Sequence, residues 1–167
     1  MEKKFLLFWS LWIGLISGVF CFVYANFPII KFNIIFMAFV SVPLFLSVDA
    51  PRNLFPHYFF SAISGVIWGL IYLYCIKVMI NRGFSLGMTL FVVVGVCTAV
   101  CCIVHMVILG NTWFNKVPMI FGGLACTFAD GGQHALSTSL TLIGGLILSL
   151  LIGEGGGLIR KSINNEN

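Results

Sequence analysis

Few residues of this 167-residue chain carry chemistry, and nearly all of them sit in apolar surroundings. His105 lies late in an apolar run that begins at Leu86, with Cys101, Cys102 and Met106 beside it. An imidazole at membrane depth can hydrogen-bond a polar solute, relay a proton, or simply bond a neighbouring carbonyl. Asp49 and Asp130 each end an irregular apolar stretch. A carboxylate at a helix C-terminus opposes the helix dipole, so these two either cap the next helix or line a polar path. Asp130 to Gln133 has the Asp-x-x-Gln shape of a capping box. With Thr127, Gln133 and His134, these residues form the candidate solute path: Asp49, His105, Thr127, Asp130, Gln133 and His134.

No catalytic constellation accompanies them. The chain lacks His-Glu-x-x-His, Gly-x-Ser-x-Gly, a P-loop and a dinucleotide fingerprint. The run Gly153-Glu154-Gly155-Gly156-Gly157 has no following Lys-Ser/Thr, so it reads as a flexible exit from the last helix with a solvated Glu154. The six cysteines (Cys21, Cys75, Cys97, Cys101, Cys102, Cys126) form no Cys-x-x-Cys and no zinc spacing. They read as small packing residues. Neither an enzyme, a metal site nor a cofactor is expected.

Composition explains the setting. Hydrophobic residues make up 60% of the chain and charged ones only 8%, against about 25% charged in soluble domains. So few charges cannot cover a water-facing surface; lipid must meet most of it. The net charge of +4 is mostly terminal, which argues orientation in a bilayer and not nucleic-acid binding.

A bilayer core of about 30 Å needs about 20 apolar residues. Phe5–Ala25, Tyr58–Ile80, Leu86–Leu109 and Ala135–Ile152 satisfy this. Phe5–Ala25 exceeds a signal-peptide core and is read as a retained span. Phe27–Val48 is long enough but carries Lys31 and Asn33 early and Pro43 late. Val117–Ala129 would extend only about 20 Å as a helix, so it is a half-span, a tilted short span, or part of a helix broken at Asp130-Gly131-Gly132. The expected fold is all-α: a polytopic membrane protein of about six transmembrane helices forming one transmembrane domain over 1–167. With both termini inside, Lys3, Lys4, Arg52, Lys116, Arg160 and Lys161 fall on the inner side and Lys31, Lys77 and Arg82 on the outer. That imbalance favours cytoplasmic termini.

The order of elements hints at an inverted 3+3 repeat with halves 5–80 and 86–160, whose second and fifth elements are short or broken. Gly18 matches Gly95, Asp49 matches Asp130, and Ser64-Gly65 matches Gly144-Gly145. Chance similarity between Gly-rich apolar helices is the competing explanation. Ser17, Gly18, Ser64, Gly65, Gly95, Gly144 and Gly145 are the expected helix-packing residues, since small side chains let helices approach closely.

Three segments carry a resemblance: Ser64-Gly65-Val66-Ile67-Trp68-Gly69, Pro118-Met119-Ile120-Phe121-Gly122-Gly123 and Ala125-Cys126-Thr127-Phe128-Ala129. Together they resemble the bacterial inner-membrane family typified by YcdZ, a domain of unknown function. Met119 stands where that family's pattern has Gly, and the polar stretch around Asp49–Pro56 is longer. The resemblance implies a bacterial inner-membrane location and about six spans, and it implies no activity.

The function expected from these features is a channel or facilitator for a small neutral polar solute, urea- or ammonia-like, acting as a homo-oligomer in the lipid bilayer. Broken helices at membrane depth line cavities in transporters, and scarce charge suits a neutral solute. The alternative is an interaction or substrate-capture subunit of a larger transporter complex.

Overall fold

The computed structural model describes residues 2–26 and 32–165. Phe27 and Lys31, which entered the reading of the second element and of the charge balance, lie outside the described residues. Six α-helices and no strand occur among the described residues. They are α1 (Glu2–Ala25), α2 (Ala38–Leu46), α3 (Phe55–Asn81), α4 (Leu86–Cys102), α5 (Val117–Ala129) and α6 (Ala135–Asn165). A 3₁₀ segment, Phe32–Met37, leads into α2, and a π-helical turn, Ile103–Ile108, extends α4. Among the described residues, four stretches are long and apolar enough to cross a bilayer: Lys3–Ala25, Arg52–Asn81, Leu86–Ile108 and Ala135–Asn165. The second and fifth elements are the short ones, Ile34–Leu46 and Val117–Ala129. The chain is an all-α membrane protein.

The last helix corrects one expectation. The glycine run is not an exit from α6; the helix continues through it to Asn165. Glycine costs about 1 kcal/mol per residue in a helix, but here it seats two indoles of α1. A Cβ at Gly155 would overlap Trp12, and one at Gly156 would lie 2.7 Å from Trp9 Nε1. The Trp12 indole N–H then donates to Leu151 O at 3.1 Å.

The chain folds as two compact units: Met1–Phe55 with Leu140–Asn167, and Pro56–Ser139. Unit 1 holds α1, α2 and most of α6; unit 2 holds α3, α4 and α5. Each unit therefore contains two long helices and one short one.

The short helix seats on its long neighbour through glycine in both units. In unit 2, a Cβ on Gly65 of α3 would overlap the Ile120 carbonyl of α5, and one on Gly123 would lie 2.7 Å from Ala62 O. In unit 1, a Cβ on Gly145 of α6 would overlap the Ala38 carbonyl of α2. Glycine thus lets the backbones touch, as the small-residue rule requires. Gly144 receives the Phe20 ring, 3.3 Å from a Cβ built there. Gly18 and Gly95 do not behave this way: both are exposed and a Cβ would meet nothing within 4 Å. They point away from their units, which is why neither packs a helix there.

Candidate functional site

The short helices end alike. In α2, Ala50 N–H donates to Phe45 O at 3.0 Å and Asp49 N–H to Leu46 O at 2.9 Å. In α5, Gly132 N–H donates to Thr127 O at 2.9 Å and Gly131 N–H to Phe128 O at 3.0 Å. These are the paired bonds of a Schellman motif, which satisfy carbonyls a helix end leaves open. Both motifs place two successive residues at positive φ: Asp49 (61°) and Ala50 (42°), then Gly131 (64°) and Gly132 (72°). By backbone geometry Asp49 corresponds to Gly131, not to Asp130.

The two aspartates consequently do different things. Asp49 is exposed at the end of α2. The side chain of Asp130 is only 5% exposed. Its Oδ2 accepts from His134 N at 2.6 Å and its Oδ1 lies 2.8 Å from His134 Nδ1. Asp130 therefore ties the turn into α6, through His134 and not through Gln133. Gln133 is exposed, while Asp130 and His134 are held together.

Thr127 is buried on α5, donates its hydroxyl to Gly123 O at 2.9 Å, and packs its methyl side onto Gly69 of α3. Its polar atom is already occupied.

His105 sits in the π-helical turn, 2% exposed. Its Nδ1 lies 2.7 Å from Phe114 O, a carbonyl that can only accept. Its Nε2 receives the Trp68 indole N–H at 2.9 Å and faces Ser64 Oγ at 3.1 Å. An indole N–H can only donate, so the hydrogen bonds require the neutral tautomer with the proton on Nδ1. The ring is a fixed strut between α3, α4 and the loop before α5. Nearby, Ser61 Oγ accepts from Lys116 N at 3.1 Å, and His57 Nδ1 lies 3.0 Å from Asn115 Oδ1, so the start of α5 is anchored on α3. Ser64, expected as a packing residue, also supplies this polar contact.

The structure thus brings Asp130 together with His134, and gives His105 and Thr127 satisfied partners of their own. Asp49 belongs to unit 1 and the other five candidates to unit 2.

Sequence reasoning did not select three further hydroxyls. Ser41 on α2, Thr89 on α4 and Thr138 at the start of α6 are each 0% exposed. Among the described residues, none of their side-chain oxygens has a hydrogen-bond partner. Most helical Ser and Thr hydroxyls in apolar surroundings turn back to a carbonyl one turn earlier, as Ser149 does to Gly145 O at 2.7 Å. These three do not. The available signal was their residue type inside apolar runs; their lack of a partner is visible only in three dimensions.

No cluster of His, Cys, Asp and Glu able to hold a metal ion occurs among the described residues. The chain belongs to the family described as a protein of unknown function, DUF1097, whose model matches residues 10–160. No curated protein and no solved structure matches the chain.

Proposed function

We propose that this DUF1097 member is a membrane facilitator for a small neutral polar solute of urea or ammonia type. The observation that carries the reading is that each unit keeps buried, unpartnered hydroxyls, Ser41 in unit 1 and Thr89 and Thr138 in unit 2. Leaving one buried hydroxyl unsatisfied costs about 1–3 kcal/mol. Alanine or valine would avoid that cost, and lipid-embedded proteins gain nothing from an idle polar atom. Hydroxyls kept free in this way suit a solute that exchanges hydrogen bonds as it passes. A neutral solute fits best: the buried polar groups are hydroxyls and a neutral imidazole, and the shielded carboxylate of Asp130 is already engaged by His134.

Location and assembly form part of the same reading. The resemblance to the YcdZ-typified family supports a bacterial inner membrane. In unit 1, Phe5 of α1 meets Arg160 of α6, and Arg52 pairs with Glu154. The basic residues at the two termini therefore share one end with Arg52, which fits cytoplasmic termini. A homo-oligomer is supported by Gly14 and Gly18, four residues apart on α1 with open space before both, a spacing that admits a second helix.

The test is solute entry into liposomes containing the purified protein alone. Urea, ammonia and small amides are followed by stopped-flow light scattering or internal pH. At least one neutral solute should enter faster than it enters protein-free liposomes. Equal rates for all of them would reject the facilitator.

A further inference from the structure

A cavity of about 280 Å³ lies at one end of unit 1, between the start of α1 and the ends of α2 and α6. Phe5, Trp9, Leu46, Asp49, Gly153 and Arg160 line it. The lining includes a cation, Arg160, and an anion, Asp49, beside the Trp9 indole. The Arg160 guanidinium carbon lies 4.6 Å above the Phe5 ring, which is stacked on Trp9 at 5.7 Å. That stacking occupies one face of the guanidinium and leaves its N–H edge for an oxyanion. Trp9 Nε1 is shielded from solvent and, among the described residues, has no acceptor. Gly156 makes room for it, since any Cβ at that position would crowd the indole. A buried N–H without an acceptor is a group whose partner is missing.

Asp49 supplies the acceptor. Neither Asp49 nor Arg160 has an ion-pair partner among the described residues, whereas the nearby Arg52 and Glu154 satisfy each other. A cavity with one unmatched cation and one unmatched anion calls for a ligand that carries both charges. A bare phosphate would leave the Asp49 carboxylate opposing it, and a bare amine would leave Arg160 and the indole unanswered. A neutral amide would match hydrogen bonds but neither charge.

The position of the cavity identifies the source. α1 carries no charge from Phe5 onward and is preceded by Lys3 and Lys4; α6 is uncharged to Ile159 apart from Glu154, then reads Arg160-Lys161. The cavity sits where apolar surface gives way to cations, the level of lipid headgroups, where tryptophans also gather. We propose that it binds the phosphoethanolamine headgroup of a bilayer lipid, with the phosphodiester on Arg160 and the Trp9 N–H and the ammonium on Asp49. The lipid site stands apart from solute transport and uses a set of residues separate from the idle hydroxyls.

The full-length protein in detergent micelles is offered dihexanoyl phosphatidylethanolamine, phosphatidylcholine and phosphatidylglycerol, and bound lipid is counted by native mass spectrometry. Phosphatidylethanolamine should be retained about fivefold over phosphatidylcholine, because its ammonium can donate hydrogen bonds to the Asp49 carboxylate and a trimethylammonium cannot. Asp49→Asn should bring that ratio to about one and lower retention of both zwitterionic lipids, since each presents a cation to Asp49; Asn accepts left-handed backbone, so the fold is kept. Arg160→Gln and Trp9→Phe should lower retention of all three lipids. Tighter binding of phosphatidylglycerol, or an unchanged ratio in Asp49→Asn, would overturn the proposal. Glycerophosphoethanolamine, which lacks acyl chains, should compete poorly; equal competition would make the ligand a soluble zwitterion and overturn the lipid assignment.

Discussion

The two units use one plan with different side chains. Both seat a short helix on a long one through a glycine, Gly145 on Ala38 in unit 1 and Gly65 on Ile120 in unit 2. Both end the short helix in a Schellman motif with two left-handed residues. Unit 2 fills those positions with Gly131-Gly132, whereas unit 1 fills them with Asp49-Ala50. Left-handed backbone costs a non-glycine residue about 1–2 kcal/mol, less for Asp. Unit 1 therefore carries strain that unit 2 avoids. The ending of α5 is built for stability, while that of α2 gives up some stability to hold a carboxylate beside the cavity of Trp9 and Arg160.

The two units also differ in how they brace their helices. Unit 2 uses His105, with bonds to Trp68, Ser64 and Phe114. Unit 1 joins α1 to α6 by Tyr24 OH and Thr141 Oγ1 at 2.6 Å and by the Trp12 N–H to Leu151 O at 3.1 Å. The buried His105 strut, with three partners, should be harder to lose than the Tyr24 hydroxyl, whose helices are also joined by Trp12.

The largest effects should come from the shared feature. Gly65→Val and Gly145→Val should each cost about 3 kcal/mol or prevent folding, because backbone has no room to yield. Gly18→Val should leave monomer stability unchanged, since its Cβ meets nothing. Thermal unfolding followed by size-exclusion chromatography checks all three, and similar losses at Gly18 would show that the glycine contacts are not specific.

At the helix ends, Gly132→Ala should cost about 2 kcal/mol, combining a positive φ with crowding against Leu70 and Leu73. Ala50→Gly should instead stabilise by about 1 kcal/mol. Shifts of the same sign at both positions would contradict the comparison.

The braces should differ by a smaller margin. His105→Leu should cost about 2 kcal/mol by orphaning the Trp68 N–H, and Tyr24→Phe about 1 kcal/mol. At the exposed Arg52–Glu154 pair, Glu154→Gln should barely change stability, readable as a small shift that salt abolishes.

Much of this fold is legible in the sequence. The limits of α5 follow from Pro118 at its start and Asp130-Gly131-Gly132 at its end, which are start and stop signals. The continuation of α6 is not legible, because glycine signals a helix end by propensity, and the indoles that favour it lie on α1. Matching Asp49 to Asp130 by residue type misses the register by one, since the turn is specified by backbone conformation. His105 stands out at once, but Ser64, Trp68 and Phe114 lie elsewhere in the sequence, so its role as a strut stays hidden. The idle hydroxyls of Ser41, Thr89 and Thr138 cannot be told from ordinary helical Ser and Thr until the helices are packed.

Those hydroxyls give the most direct test of the proposed transport. Thr89→Val keeps the shape of the side chain and removes the polar atom. Stability and urea entry are measured on the same preparation, the first by thermal unfolding and the second in liposomes. If the hydroxyl serves the solute, Thr89→Val should be more stable than the wild type by about 1 kcal/mol and pass solute several-fold more slowly. A variant that is less stable and passes solute at the wild-type rate would contradict this, because the hydroxyl would then serve the fold and not the solute.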